Sequence, residues 1–291
     1  MTMHEELKQF LRTRQNLIFI PNIGNAGDAF IAHATYQLLD RLRLSYTIGS
    51  LANIYPGATV VYAGGGALVG PYDYMANFLR RNLGQWKELI ILPHTIRSYG
   101  ELLGEFGANA HLFCREMPSY EFAKARAPHA NVYLSDDLAF DCRLEEMEEL
   151  VSLRTVTGVG NFMANPRRGV RLRRRLKNDA SRAEIVNQSG ALFAFRADIE
   201  KTDVVLPPAN VDVSDEFADD SMLPLVALHT TYRVMRFLKH FRIIKTNRLH
   251  IAIMSAMLGL QVDLYDNSYG KVRDVFERSM RDKLKNIRCH F

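Results

Sequence analysis

Short apolar segments alternate with helical patterns along most of this 291-residue chain, and this alternation constrains the fold more than any other feature. The segment 17–21 is continuously apolar, whereas in 28–43 apolar residues recur every three or four positions. Such alternation is typical of βαβ units, so the sequence predicts an α/β protein with parallel sheets and helices on both faces. The predicted strands are 17–21, 59–63, 89–92 (ended by Pro93), 111–114, 131–134, 191–195, 242–245 and 261–265, and the predicted helices are 28–43, 72–83, 98–106, 116–127, 222–240, 248–258 and one that starts near Tyr269.

The region 141–190 interrupts this alternation because it is rich in charge. We therefore place a domain boundary at about 145–155 and predict two Rossmann-like domains. The N-terminal domain spans 1–150, and the C-terminal domain spans 151–291, with a last helix that can return to the N-terminal domain. Two such domains in tandem enclose a cleft, where ligands bind at the carboxyl ends of the strands.

The cysteine pattern and the apolar runs limit the compartment. Cys114, Cys142 and Cys289 form no CxxC pair, so neither a zinc site nor a disulfide framework is expected, and a reducing compartment is favoured. The longest apolar run, 251–262, has about half the roughly 20 residues of a membrane span and predicts a buried helix that leads into a strand. The charged N-terminal segment lacks the apolar stretch of a signal peptide. We expect a protein that is soluble or peripheral to a membrane.

The net charge is +5, and much of the excess lies in one basic run over 167–177. Such a run can be a solvated helix face, or it can meet an anionic surface such as phospholipid headgroups or a substrate pyrophosphate. Nucleic acid is not expected as a partner, because no aromatic residues interleave with the run and no known binding module is present. The run comprises Arg167, Arg168, Arg171, Arg173, Arg174, Arg175 and Lys177, of which Arg171, Arg173, Arg174 and Arg175 are the candidates for contact with a membrane or an acceptor pyrophosphate.

Three predicted strands of the second half are each followed by polar or cationic residues. In a parallel sheet these residues share one edge, which would face the cleft. We expect Thr246 or Asn247 to cap the following helix, so that Arg248 and His250 lie in its first turn. Cations are unfavourable there unless an anion is bound, so we expect a small dianionic ligand. The candidate ligand-binding residues are Arg196, Arg248, His250, Asn267, Ser268 and Lys271.

Other interpretations of these cations remain open from the sequence. Arg196 can pair at the surface with Asp198 or Glu200, and Lys271 can be solvated. A histidine in a helix is more often structural than catalytic.

The first half contributes glycine turns at strand ends. The turn 22–28 follows the first strand but lacks the GxGxxG spacing, so a nicotinamide cofactor is not expected. The glycines 64–66 follow another strand, and His94 follows Pro93 at a third. The glycines can admit a ligand close to the backbone, or they can serve tight packing of strand against helix. His94 can likewise be a loop histidine with internal partners.

Together these segments resemble the polysaccharide pyruvyl transferase family. The resemblance implies two facing domains similar to the GT-B glycosyltransferases, phosphoenolpyruvate as donor and a hexose of a growing glycan as acceptor. The product would be a cyclic pyruvate ketal on one sugar. The matching segments are the turn that ends in Gly27-Asp28, the glycines Gly64-Gly65-Gly66, and 92–96, 246–250 and 266–271.

The resemblance also implies roles for particular residues. Arg248 and His250 belong to the donor site, and together with Asp28 they are the candidate catalytic residues. His250 would donate a proton to the methylene carbon or, alternatively, bind the phosphate, while Asp28 or Asp136 would accept a hydroxyl proton. We expect neither a metal nor a cofactor besides the co-substrate phosphoenolpyruvate. The candidate acceptor-binding residues are Asn22, Gly27, Asp28, Gly65, Gly66 and His94.

Two other functions remain possible from the sequence. One is a nucleotide-sugar-dependent glycosyltransferase of GT-B fold, whose diphosphate would fill the anion site. The other is a non-catalytic peripheral anion-binding protein that uses the basic run. For a pyruvyl transferase we expect a role in exopolysaccharide biosynthesis, on a cell-surface polysaccharide or its lipid-linked precursor. Such an enzyme would be cytoplasmic and peripheral, at the inner face of the cytoplasmic membrane.

Overall fold

The computed structural model describes residues 3–52, 54–152, 166–187, 190–203 and 205–291, with the side chains of all but 3–4 and 166–169. The chain forms two compact units. The first contains the residues up to Ile23 together with Ala34–Asp141 and Asp274–Arg281. The second contains Gly24–His33, Cys142–Arg273 and Asp282–Phe291. The segment 24–33, which the sequence placed within 1–150, is thus part of the second unit.

The first unit is built on a parallel sheet of seven strands among the described residues, in the order β2-β1-β3-β5-β6-β7, with β4 paired to β5. β1 is buried along its whole length, and β5 is buried after its first residue, as expected for strands covered on both faces. The strands are β1 Leu17–Ile20, β2 Tyr46–Ile48, β3 Thr59–Tyr62, β4 Gly65–Leu68, β5 Glu88–Ile96, β6 Ala110–Cys114 and β7 Asn131–Leu134, and the helices are α1 Met3–Arg12, α2 Ala26–Arg41, α3 Tyr74–Arg81, α4 Gly100–Gly104 and α5 Met117–Arg126, with a 3₁₀ turn at Leu138–Asp141.

The prediction that Pro93 ends its strand is wrong, because β5 continues to Ile96. The pairing of β5 with β6 shifts register between Ile91 and His94, which leaves proline at an irregularity where no ladder hydrogen bond is required of it. β4 then pairs with β5 from His94 onward. The irregularity carries the strand four residues beyond the predicted end.

The second unit has a four-stranded parallel sheet in the order β11-β10-β9-β8. The predicted α/β class with parallel sheets is therefore confirmed. The strands are β8 Ala191–Ala194, β9 Ile243–Thr246, β10 Gln261–Leu264 and β11 Ile287–Cys289, and the helices are α6 Met147–Ser152, α7 Pro166–Val186, α8 Val213–Glu216, α9 Pro224–Leu238, α10 Leu249–Met257 and α11 Lys271–Val275, with a 3₁₀ turn at Leu144–Glu146 and a π-helical turn at Phe276–Met280.

The apolar run 251–262 forms most of helix α10 and the first residues of strand β10. Every residue of α10 is buried except His250 and Met257, as the sequence predicts for a core helix. Among the described residues, no helix combines the length and apolar character needed to cross a membrane.

Candidate active site

Three strand ends of the second unit meet along one edge, as the sequence predicts. Ala194 of β8 is in register with Thr246 of β9, which is in register with Leu264 of β10. The Thr246 hydroxyl donates to the carbonyl of Ala194 at 2.7 Å, and the backbone N–H of Arg196 donates to the side chain of Asn247 at 2.8 Å. These bonds fix the segments after β8 and β9 against each other.

Helix α10 begins differently from the prediction. Arg248 occupies the N-cap position in an extended conformation, and its own side chain does not cap the helix. Thr246 accepts a hydrogen bond from the N–H of Arg248 at 2.9 Å, and Asn247 is engaged with Arg196. The prediction that Thr246 or Asn247 caps the helix is therefore wrong. His250 does lie in the first turn, as predicted.

The Arg248 guanidinium is surrounded by three carboxylates of the protein. Asp212 accepts two hydrogen bonds from it, at 2.9 and 2.5 Å. Asp198 lies 2.8 Å away and Asp215 lies 3.1 Å away. Arg248 is only 4% exposed, so its guanidinium is shielded from water, and Asp212 is buried with it. The side chain is therefore held rigidly beside the start of α10.

Glu200 forms the centre of a second buried cluster at the same edge. Its Oε2 accepts from Arg196 at 2.5 Å, from Lys271 at 2.8 Å and from the Asn267 amide at 3.2 Å. Arg196 also forms two hydrogen bonds with Asp198, at 2.7 and 2.9 Å. The alternative that Arg196 pairs with Asp198 and Glu200 is thus correct, although the pairs are buried rather than superficial.

The remaining predicted residues of this edge differ in burial. Lys271 is buried and paired, so the interpretation as a solvated lysine is wrong. Ser268 is exposed, and its N–H donates to the backbone carbonyl of Glu200 at 3.3 Å.

The charges of this edge are balanced inside the protein. The three cations Arg196, Arg248 and Lys271 face the four carboxylates of Asp198, Glu200, Asp212 and Asp215. The interpretation that these cations lack negative charge until a ligand binds is therefore wrong. Within the described part of the chain, no cluster of three or more His, Cys, Asp or Glu side chains could hold a metal ion.

These carboxylates differ in their affinity for protons. Burial by itself raises the pKa of Asp198, but Arg196 and Arg248 outweigh it and bring the pKa to about 2. The pKa of Glu200 is likewise about 2, because Lys271 and Arg196 outweigh its burial. The pKa of Asp215 is raised, first by burial and then by the nearby charges of Asp212 and Asp198, against the pull of Arg248. Of these three carboxylates, Asp215 is the one whose surroundings favour the protonated form.

Lowering the pH from about 4.5 to about 2 should lower the stability of the second unit. The ordinary pKa values of Asp198 and Glu200 are 3.8 and 4.5, and both are about 2 in the folded chain. Their stabilisation is thus fully present above about pH 4.5 and is lost as the pH falls through about 2. The free energy of unfolding is measured with urea at a series of pH values. It should fall less steeply with decreasing pH in Glu200→Gln than in the wild type. The exposed Glu184→Gln in α7 is the control, and a Glu200→Gln curve parallel to that of the wild type would contradict the assignment.

His250 packs against the start of helix α2. A Cβ built on Gly27 would lie 2.7 Å from His250 Nδ1 and 3.3 Å from His250 Cβ. Only glycine leaves room for the imidazole at this position. The glycine therefore serves a close approach, as the sequence suggests, but what approaches is a side chain of the protein.

The turn before α2 is organised by Asn25 and Asp28. The Asn25 side chain accepts from the N–H of Gly27 at 2.9 Å, and the Asp28 carboxylate accepts from the N–H of Asn25 at 3.0 Å. A Cβ on Gly24 would lie 1.9 Å from the Asp28 carboxylate. This reciprocal arrangement resembles a capping box and fixes Asp28 one residue from Gly27.

Several predicted acceptor residues serve the interior of the first unit. His94 has no exposed surface, and its Nε2 accepts from the N–H of Ala67 at 2.8 Å while Nδ1 lies 3.3 Å from the Ala63 carbonyl. Both ring nitrogens are engaged, so His94 holds the glycine turn and is not available for a direct contact with an acceptor. Gly65 has a φ of 145°, which requires glycine, and with Gly66 it forms the start of β4.

Asn22 and Asp136 are also engaged within the first unit. Asn22 is buried, and its side-chain oxygen accepts from Tyr74 at 3.2 Å and Tyr62 at 3.4 Å. Asp136 accepts from the hydroxyl of Ser279 at 3.1 Å. Asn22 and Asp136 thus both have hydrogen-bond partners inside the first unit.

The basic run does not form a single surface. Arg171 and Arg175 line a cavity of the second unit, whereas Arg173 and Arg174 are exposed and take no part in it. The side chains of Arg167 and Arg168 lie outside the described residues.

Comparison with known proteins identifies the family. Residues 25–268 match the family described as "Polysaccharide pyruvyl transferase". Because this match covers most of the chain, the protein belongs to the polysaccharide pyruvyl transferase family. The match includes Gly27, Asp28, the start of α10 and Asn267, so the close contact of Gly27 with His250 lies inside it.

The comparisons also found one relative with a pyruvyl transferase name and one solved structure with the same fold. The chain is 23% identical to a Bacillus subtilis (strain 168) protein named "Putative pyruvyl transferase EpsO", over 89% of this chain and 83% of that protein. A crystal structure of an uncharacterized protein from Klebsiella pneumoniae subsp. pneumoniae has the same fold, with a TM-score of 0.78 and 24% identity over 100% of this chain and 99% of that one.

Proposed function

We propose that this pyruvyl transferase takes its pyruvyl group from phosphoenolpyruvate and forms a cyclic ketal on a hexose. The hexose belongs to a cell-surface polysaccharide or its lipid-linked precursor. The observation that carries the proposal is the position of His250 in the first turn of α10, beside a rigid arginine–carboxylate cluster. The family assignment supplies the type of transfer, and the cationic side chains of this edge support phosphoenolpyruvate as the donor.

The donor is placed by the start of helix α10. The first N–H groups of a helix and its dipole attract anions, and no side chain of Arg248 caps this start. His250, in the same turn, is half-buried, and so it can reach a ligand while it is shielded from bulk water. We assign Arg196, Asn267 and Lys271 to positioning, because Glu200 already binds all three. Ser268 is exposed at the same edge and can contact the donor directly.

Arg248 contacts the donor by exchanging a carboxylate. Asp198 accepts two hydrogen bonds from Arg196, and Asp212 accepts two from Arg248. By contrast, the Asp215 side chain is 49% exposed, and its pKa is raised. The donor phosphate takes the place of Asp215 on Arg248, and Asp215 moves to solvent or takes up a proton. The net charge of the cluster then changes little, which avoids burial of an unpaired charge.

The reaction follows from these positions. His250 donates a proton to the methylene carbon of phosphoenolpyruvate, which becomes a methyl group and leaves C2 electron-poor. A sugar hydroxyl attacks C2, and the C2–O bond to phosphate breaks. A second hydroxyl of the sugar then closes the ring at C2. Two hydroxyl protons are released, of which one replaces the proton that His250 gave and the other leaves with phosphate. Asp28 is the candidate to accept the first of them.

Phosphate release tests the proposed function. The protein is incubated with phosphoenolpyruvate and with methyl glycosides of glucose, galactose or mannose, or with hexose oligosaccharides as acceptors. Phosphate should appear only when a suitable acceptor is present, and the acceptor should gain the mass of pyruvate less water. A folded protein that modifies none of these acceptors and releases no phosphate would contradict the proposal.

Gly27→Ala tests the placement of His250. The new methyl group would have to displace the imidazole, and misplacement of a catalytic group by about 1 Å costs on the order of 10²-fold in rate. We expect turnover to fall by about that factor in the phosphate-release assay. Gly104→Ala is the control, since its nearest neighbour would be the Arg126 carbonyl at 3.6 Å. Full turnover in Gly27→Ala would refute the placement.

Asp215→Asn tests the exchange at Arg248. Removing the competing charge should lower the KM for phosphoenolpyruvate by up to about fivefold, because a partly exposed ion pair contributes at most about 1 kcal/mol. The turnover number should stay close to that of the wild type. Asp220→Asn, at an exposed site in the loop after α8, is the control. A KM that is unchanged or higher in Asp215→Asn would count against the exchange.

A further inference from the structure

A small cavity lies in the second unit between helices α7 and α9, with a volume of about 150 Å³. It shares none of its lining residues with the candidate active site. A water molecule takes about 30 Å³ in the liquid, so the cavity has room for a group of the size of a phosphate. The lining consists of Arg171, Leu172 and Arg175 from α7, Asp219 from the loop before α9, and Leu225, Val226, His229 and Arg233 from α9.

One face of helix α7 is turned to this cavity. Arg171 and Arg175 are four residues apart and so lie on the same side of the helix, with Leu172 buried beside them. Arg173 lies about 160° further around the helix from Arg175 and is exposed. The basic run therefore divides into cations that face the cavity and cations that face solvent.

The cavity carries excess positive charge. Arg175 pairs with Asp219 at 2.5 Å, and Arg233 is held by Asp179 through hydrogen bonds of 2.8 and 3.0 Å. In the described part of the chain, no carboxylate pairs with Arg171. Three guanidinium groups thus face two carboxylates, Asp219 and Asp179, and the excess positive charge is that of Arg171. Two of these groups are fixed by ion pairs, so an anion meets a partly preorganised site.

The other wall of the cavity is apolar. Leu172 is buried, and Leu225 and Val226 are partly buried in the first turn of α9. Arginine forks match the oxygens of phosphate, whereas leucine and valine favour hydrocarbon. A free inorganic anion would leave the apolar wall unused, and a sugar phosphate would place hydroxyls against it. The lining is complementary to a phosphate group that is joined directly to a hydrocarbon chain.

We propose that this cavity binds the phosphate or diphosphate of a lipid, with the first carbons of the hydrocarbon on Leu172, Leu225 and Val226. Arg171 is the main charged contact, and Arg175 and Arg233 complete the site. This proposal does not rest on pyruvyl transfer, because binding is measured without turnover.

Binding of farnesyl diphosphate, measured by titration calorimetry, tests the site in solution. The wild type should bind it more tightly than inorganic pyrophosphate, because only the lipid uses the apolar wall. Arg171→Gln should weaken the binding about tenfold or more, the usual cost of one charged hydrogen bond. Arg173→Gln removes the same charge from the opposite side of the same helix and should change the affinity less than about twofold. Equal affinities for the two ligands, or equal effects of the two variants, would overturn the proposal.

Vesicles distinguish the source of the lipid phosphate. Phosphatidylcholine vesicles with and without phosphatidylglycerol are sedimented with each variant. If membrane phospholipid is the ligand, Arg171→Gln should lose binding to the phosphatidylglycerol vesicles and Arg173→Gln should keep it. If an isoprenoid diphosphate is the ligand, the variants should differ only toward farnesyl diphosphate. Both positions are exposed on the helix, and circular dichroism verifies that the variants fold. If Arg171→Gln and Arg173→Gln behave alike toward both farnesyl diphosphate and phosphatidylglycerol vesicles, the lipid site is overturned. The proposed transfer reaction is not affected by that result.

Discussion

Replacing His250 with alanine should lower the turnover number by about 10²- to 10⁴-fold, the usual contribution of a positioned proton donor. The imidazole lies against Gly27 at the start of α10, whereas His290, which follows β11 at the same edge of the sheet, is stacked on Tyr265. If His250 donates the proton, the turnover number falls and the KM for phosphoenolpyruvate changes little. If His250 binds the phosphate instead, the KM rises. Steady-state kinetics with varied donor separates the two roles.

His240→Ala provides the matched control for this variant. His240 is exposed in the turn before β9, in the same unit. It should keep wild-type turnover, and both variants should keep the wild-type circular dichroism spectrum. Unchanged turnover in a folded His250→Ala protein would remove His250 from the reaction.

Replacing Arg248 with methionine should destabilise the protein by about 3–5 kcal/mol, because it leaves buried carboxylates without their cation. Asp212, which is 8% exposed, loses its ion pair of 2.5 Å, and Asp198 loses one of 2.8 Å but keeps its pair with Arg196. The loss should shrink in acid, where protonation removes the uncompensated charges. Urea unfolding at neutral pH and at low pH measures both effects.

Arg288→Met, at an exposed position of β11, is the control and should change stability by about 0.5 kcal/mol at most. If Arg248→Met does not accumulate as folded protein, Arg248→Lys keeps the charge without the planar fork and should show an intermediate loss. Equal unfolding curves for the Arg248 and Arg288 variants would show that the carboxylate cluster does not depend on Arg248.

Eight of the described strands could be predicted from the sequence because each contains a short group of apolar residues between segments of a different pattern. The missed strands lack this signal. β2 is three residues long and mostly exposed, and β4 begins with two glycines. The end of β5 was wrongly predicted at Pro93, because the register shift that accommodates this proline depends on the neighbouring strand β6. Short or irregular strands are thus defined by tertiary pairing rather than by local pattern.

The candidate site was only partly visible in the sequence. Residues after β8, β9 and β10 could be assigned to one edge, because parallel strands end together. Their carboxylate partners were harder to find. Asp198 and Glu200 lie two and four residues after Arg196, which is a local signal. Asp212 reaches Arg248 across 36 residues, and nothing in the local pattern indicates that pair.

The turn before α2 shows the same limit. Its glycines predicted a close approach to the backbone, but the sequence could not say that the approaching group is His250. The packing of Gly27 on His250 depends on residues 24–33 lying in the second unit, although they precede most of the first unit in the chain. Such contacts become visible only in the folded structure.

Reaction in heavy water tests the central claim most directly. The protein is incubated with phosphoenolpyruvate and a productive hexose acceptor in D₂O, and the product is analysed by mass spectrometry and NMR. Proton donation to the methylene carbon predicts one deuterium in each ketal methyl group and one phosphate released per ketal formed. A ketal whose methyl group contains no deuterium, or a product that still carries phosphate, would contradict the account.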